Sequence, residues 1–201
     1  MSNYTWPTEV IPSATEWRLV SNTAAFFSPL SGTTRTLSRG GDRWACSVTC
    51  ANLAGDKRAI LQAFLARLRG QVHRVILRDH AYNKRGTLAV NPLVYGASQT
   101  GSTLNVDGAT PAATLKAGDW IALGYSLHMI VADVTVAGGG TAALSITPPL
   151  RSSPADNSTV NILTPAGLFL LSDNTVSWSN TPRGFAEAMS TFTVELVEDL
   201  L

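Results

Sequence analysis

The stretch Trp44–Asp79, WACSVTCANLAGDKRAILQAFLARLRGQVHRVILRD, reads as strand, short helix and strand. Trp44, Cys46, Val48 and Cys50 alternate with Ala45, Ser47, Thr49 and Ala51. That period predicts a pleated strand with one bulky face and one small or hydroxylated face. Asp56 is placed to cap a helix, with Gly55 relaxing the turn before it. Ile60, Ala63, Phe64 and Leu68 fall on one apolar stripe, which Leu61 and Leu65 widen. Lys57, Arg58, Arg67 and Arg69 edge that stripe; Arg67 and Arg69 lie in the last turn, where cations suit the helix dipole. Gly70 suits the residue just past the helix end, and Val72–Asp79 then leaves as a strand.

Working back from Trp44, Gly40-Gly41-Asp42 predicts a hairpin over residues 33–51, carrying Arg35, Arg39 and Arg43 around its tip. Ser31-Gly32 reads as a turn or bulge, and 16–22 as a short strand. Trp6-Pro7 and Ile11-Pro12 make residues 1–15 an extended, irregular arm that packs on a neighbour or stays loose. Working forward, Asn83-Lys84-Arg85-Gly86 is a turn, after which the composition changes. Residues 89–167 are poor in charge and rich in Gly, Thr, Ala and Val, with short strands and frequent turns: an all-β module compact enough for a small barrel. From Leu168 the strand pattern resumes, and Phe192, Val194 and Leu196 alternate with Thr191, Thr193 and Glu195. The expected fold is therefore mainly β with one short helix: an outer α+β domain (1–88 and 168–201) interrupted by a small β-barrel-like module (89–167).

A chain of 201 residues is long enough to bury a core without staples. Charged residues make up 14%, against about 25% in typical domains, which suits a surface partly covered by partners. The net charge of +1 hides a split: 12 basic and 5 acidic residues through Arg85 (+7), then 3 basic and 9 acidic (−6). Such a split fits head-to-tail copies or internal neutralisation between two lobes. Nucleic-acid binding is the weaker reading, since no aromatic-and-Arg platform accompanies the excess. Cys46 and Cys50, four apart in one strand, would have Cα atoms roughly 13 Å apart, too far for a disulfide. Buried thiols made in a reducing compartment are expected. No secretory segment opens the chain and no apolar run of about 18 residues occurs, so a soluble protein without membrane insertion is expected.

Residue patterns for catalysis are missing. His73, His80 and His128 have no ligand at a metal-binding spacing, and GxSxG and phosphate loops are absent. Asp79-His80 could orient an imidazole, but no nucleophile is tied to it. Glu198-Asp199 reads as a solvated, self-repelling pair in the tail. No catalytic, metal or cofactor site is expected.

The ordered set SPLSGTTRTLSRGGDRW (Ser28–Trp44) and LARLRG (Leu65–Gly70) resembles the distal tail proteins of long-tailed bacteriophages and prophages. The matching features are the Gly-Asp-Arg-Trp turn at Gly41–Trp44, the helix closing on Leu68–Gly70, and the strand Val72–Asp79. The resemblance covers residues 15–88 and, more weakly, 185–200. It implies a tail-tube-like split β-sandwich or barrel that forms a ring, a hexamer, around a DNA channel, with the second module outside. The implied partners are sister copies, the tail tube, the tape-measure protein and the baseplate hub, with DNA only in transit. The implied location is the virion tail tip, assembled in the host bacterial cytoplasm. The hairpin is the element expected to cross between subunits, with Ser31, Gly32, Thr34, Arg35, Leu37, Arg39 and Arg43 at the interface. Another tail component, a tube or terminator protein, is the nearest alternative. A virion carbohydrate-binding module stacking sugars on Trp120, Tyr125 or Trp178 is the alternative from a different class.

Overall fold

The computed structural model describes residues 1–181 and 188–200. The last residues of the resemblance's second segment are thus seen, while 185–187 lie outside the described residues. The chain is mainly β with a single α-helix among the described residues. Its first part runs β1 (Asn3–Thr5), β2 (Ala14–Val20), β3 (Thr23–Phe27), β4 (Thr34–Ser38), β5 (Arg43–Leu53), α1 (Gly55–Leu68) and β6 (Arg74–Leu77). Next come β7 (Leu93–Val94), β8 (Gly101–Asp107), β9 (Thr114–Leu115), β10 (Trp120–Leu123), β11 (Ser126–Ile130), β12 (Val134–Thr135), β13 (Ala142–Leu150) and β14 (Val160–Asn161). The chain closes with β15 (Gly167–Leu171), β16 (Trp178–Thr181) and β17 (Met189–Glu198).

One sheet joins the two ends of the chain in the order β1-β6-β15-β17-β5-β2. Only the β1–β6 pair in it is parallel. β17 pairs β5 along one side and, along the other, β15 through residues 196–198 and β16 through residues 189–192. The period-2 pattern explains the core. Cys50, Val48 and Cys46 stand opposite Phe192, Val194 and Leu196, and all six are buried. Cys46 and Cys50 are free thiols, and burial pushes Cys46 up to about 12 and Cys50 up to about 11.

α1 covers this face with Leu61, Phe64, Leu65 and Leu68. The expected stripe is rotated by part of a turn: Ile60 and Ala63 point to solvent, because the face with two extra leucines buries more apolar surface. Asp56 does not cap the helix; Ala54 precedes it with no side-chain cap bond, and Asp56 serves only as first-turn charge. Arg69 itself takes the left-handed conformation (φ 51°) at the helix end, followed by Gly70 (φ 64°). Residues 70–72 then form a 3₁₀ turn, which shortens the expected strand to β6. The N-terminal arm is not loose: β1 adds to β6 within the chain's own fold, and Trp6 and Val10 are buried. Trp6 meets Phe64 edge-on at 5.7 Å, and its indole N–H donates to the Val10 carbonyl at 2.8 Å.

The second sheet, β14-β10-β11-β13-β8-β7, lies wholly between β6 and β15 in sequence. Its two end strands meet. Leu93 bridges Thr159, Val94 N donates to Ser158 O at 2.9 Å, and Val160 N donates to Pro92 O at 2.9 Å. The sheet is thereby nearly closed on a core of its own that includes Leu104, Val106, Ile121, Ile130, Leu144 and Ile146. The neck leading into it is tied by Asp119, a fully buried carboxylate. It accepts from Arg85 N (2.7 Å), Lys116 N (2.8 Å), Gly86 N (3.0 Å) and the Tyr82 hydroxyl (3.2 Å). A Cβ at residue 86 would collide with the Thr114 carbonyl, so only glycine fits the turn read from Asn83–Gly86.

Replacing Phe64 by Ala removes the ring that seals α1 against Trp6 and should cost about 3–5 kcal/mol. Denaturant melts read the change; an unaltered midpoint would show that the helix does not hold the outer sheet together.

Candidate subunit interface and the inter-sheet junction

The hairpin expected over residues 33–51 is built differently. β4 pairs β3, while β5 pairs β2 and β17. The two pairs form one bent ribbon: Val20 faces Arg43 at the end of the sheet, and Thr23 faces Ser38 where the ribbon leaves it. Gly40 and Gly41 (φ 70° and 83°) mark the bend, not the tip. Asn22 locks that bend: its backbone N–H donates to Asp42 Oδ1 and its side-chain amide donates to Gly40 O, both at 2.8 Å. The tip is Ser28–Thr33, closed by Gly32 N to Ser28 O and Ser28 N to Thr33 O, both at 2.9 Å. A Gly-Gly-Asp run satisfies a tight turn and a bend equally well, which is why the sequence pattern put the reversal there.

The β3–β4 ribbon is a sheet of its own, joined to no third strand among the described residues. Its paired part is about 17 Å long. Leu30 at the tip is 100% exposed, Phe27 66%, Phe26 57% and Leu37 53%. Phe26 and Arg35 share one face with Leu37, while Phe27 and Thr34 share the other. Both faces are bare. A lone two-stranded hairpin is only marginally stable in water, and covering each of these apolar side chains is worth about 1.5–3 kcal/mol.

Among the residues expected at an interface, Ser31 and Gly32 lie at the tip and Thr34, Arg35 and Leu37 on β4. Arg39 sits at the bend and Arg43 opens β5. All seven are exposed. The arm's apolar members Phe26, Phe27 and Leu30 fell outside that set. Two adjacent phenylalanines before a Ser-Pro turn in a charge-poor segment are the signal that could have found them. Beside the arm lies β2, which among the described residues pairs only with β5 and exposes Leu19 and Val20.

Behind the bend, the two sheets meet on Glu198. The tail pair is not a solvated, repelling couple. Glu198 is fully buried, and Asp199 is bonded to the Arg74 guanidinium. Glu198 Oε1 accepts from Leu127 N (2.9 Å), and Oε2 accepts from Trp44 N (3.0 Å) and Arg151 Nη2 (2.7 Å). Arg151 also donates through Nε and Nη2 to Asp42 O at the base of the arm, and through Nη1 to Ser126 Oγ. Trp44 adds a bond from its indole N–H to Leu127 O (3.1 Å) and packs on Trp120 at 4.5 Å between ring centres. Trp120 is thus buried in the junction and offers no stacking surface, while Trp178 packs over Phe192 and Tyr125 stays half exposed. The ion pairs Arg18–Glu195 and Arg74–Asp199 join the basic first part of the chain to its acidic end, so the charge split is neutralised in part within one molecule.

The three histidines are far apart in role. His73 Nδ1 accepts from Ser2 N, and His80 lies in the loop after β6 with an enclosed Nδ1 that has no partner. Asp79 does not orient His80; its Oδ1 accepts from Ala81 N. His128 is buried in β11. Its Nδ1 lies 2.7 Å from the Pro148 carbonyl, which can only accept, so Nδ1 carries the proton. Nε2 then accepts from the Ser126 hydroxyl at 3.1 Å. Burial holds this imidazole below its ordinary value, and the neighbouring Arg151 acts in the same direction.

Glu198→Ala would strand Arg151 and two backbone N–H groups in the junction. The expected cost is about 3–5 kcal/mol, read by denaturant melts, and a loss under about 1 kcal/mol would contradict the shared role. For His128, a folded value below the unfolded 6.5 means that stability is constant above pH 6.5. It declines as the pH falls through 6.5 and levels off below the folded value. His80, shifted the same way by burial, contributes a parallel share. Melts of His128→Gln between pH 7.5 and 4.5 should therefore show a shallower acid decline than the parent chain; identical slopes would contradict the assignment. No family model matches this chain, and no curated protein matches it.

Proposed function

We propose that this chain is a ring-forming structural protein of a bacteriophage tail, a distal adaptor that joins the tail tube to the baseplate hub and lets DNA pass. The carrying observation is the β3–β4 arm. Two strands with both faces bare and four exposed apolar side chains are completed by a partner, and a sister copy supplies one at no cost in new sequence. A closed ring of such heterologous contacts would cover every arm and every β2 edge at once. The resemblance of residues 15–88, and more weakly 185–200, supplies the hexameric order, the virion location and the tube, tape-measure and hub partners. The nearly closed module of residues 93–161 favours an adaptor over a tube protein, whose stacked rings leave little room for decoration.

In solution the purified chain should assemble, alone at high concentration or with tail partners. Class averages of negatively stained particles should show a closed collar. Phe27→Glu with Leu30→Glu alters only exposed positions, so it should abolish the collar and leave the monomer's melting curve in place. Collars that persist in this variant, or a parent chain that is monomeric throughout, would overturn the reading.

A further inference from the structure

His128, buried in β11, stands at one end of a chain of hydrogen bonds that finishes at the base of the arm. Its Nδ1 proton is committed to the Pro148 carbonyl at 2.7 Å, so Nε2 takes the Ser126 hydroxyl proton at 3.1 Å. Ser126 Oγ in turn accepts from Arg151 Nη1 at 3.2 Å. Arg151 carries the chain on, donating from Nε and Nη2 to Asp42 O and from Nη2 to Glu198 Oε2. Asp42 ends it with Oδ1, which accepts from Asn22 N across the bend.

This order of donors and acceptors holds only while the imidazole is neutral. A proton added at Nε2 makes that nitrogen a donor as well. Ser126 Oγ would then face two cationic donors, and its own hydrogen would lose the acceptor it has now. Two like charges meeting on one hydroxyl repel. The imidazole is the fixed partner, 1% exposed and tied to Pro148, whereas the Arg151 side chain is 17% exposed and borders the cleft at the β10–β11 turn. The guanidinium is planar and rigid, so withdrawing Nη1 also tilts Nε and Nη2 away from Asp42 O. Burial opposes the proton most; of the charges facing His128, Glu198 favours it and Arg151 opposes it. Tyr125 and Asp199 line the same cleft, with Asp199 held by Arg74. The neighbouring strands β10, β13 and β15 carry no ionisable side chain.

We propose that His128 is a proton-sensitive latch on the arm: protonation at Nε2 drives Arg151 off Ser126 and Asp42 O, and so loosens the bend from which the β3–β4 ribbon leaves the sheet. The latch acts within one molecule and does not rest on the ring reading. NMR of the full chain carrying Phe27→Glu and Leu30→Glu, titrated between about pH 7.5 and 4.5, tests it without any collar being present. The Arg151 Nε–H and Asn22 N–H signals should move together with the His128 ring protons, at one midpoint below the ordinary 6.5. Across it, protection of the Asn22 amide against hydrogen exchange, corrected for the intrinsic pH dependence, should fall about tenfold, the scale of one lost bond to a charged group. His128→Gln should abolish the step, and His80→Gln should leave it in place. Ser126→Ala should keep the ring titration but uncouple Arg151 and Asn22 from it. The proposal is overturned if Arg151 and Asn22 stay still while His128 titrates, or if the whole chain unfolds before any step. A step that survives His128→Gln or Ser126→Ala, or that disappears with His80, would overturn it equally.

Discussion

A single buried carboxylate holds this molecule's two sheets in register. Glu198 comes from the last strand of the chain, yet its oxygens accept from β5, from β11 and from Arg151 after β13. Burying a charge is costly, and the cost is offset only when both oxygens are hydrogen-bonded in good geometry. Three donors, two of them rigid backbone amides, meet that condition here. The alignment of β17 against β5, the seating of β11 on the outer core and the path of the chain after β13 thus depend on one another.

The same network reaches the base of the arm. Arg151 grips the Asp42 carbonyl, and Asp42 in turn accepts from Asn22 N across the bend. The direction in which the β3–β4 ribbon leaves the sheet is therefore set from both sides of the junction. A ribbon only two strands wide gains little stability from within, and it leaves the sheet with bare apolar faces. Fixing the exit angle lowers the ordering cost that any later contact would carry.

The junction also shows why an uneven charge distribution along a chain is a weak guide to partners. Arg18–Glu195 and Arg74–Asp199 tie the basic beginning to the acidic end inside one fold. Arg35, Arg39 and Arg43, exposed on and beside the arm, have no ion-pair partner among the described residues.

The local periods were enough to determine the mainly β character, the alternating core of β5 and β17, the single helix, the unpaired buried thiols and the glycine turn at residue 86. Each of these depends on neighbours a few residues apart, so the chain carries the full information. Which face of the helix is buried was decided by tertiary packing, because Ile60 and Leu61 are equally apolar and only the sheet beneath selects between them. The true partner of β4 was decided the same way: Gly40-Gly41-Asp42 allows a reversal or a bend, and the pairing of β5 with both β2 and β17 leaves no edge for β4. The exposure of Phe26, Phe27 and Leu30, the burial of Trp120 and the shared carboxylate of Glu198 all arise from contacts between residues distant in sequence. No window of sequence contains those contacts, and the closing of the fold alone creates them.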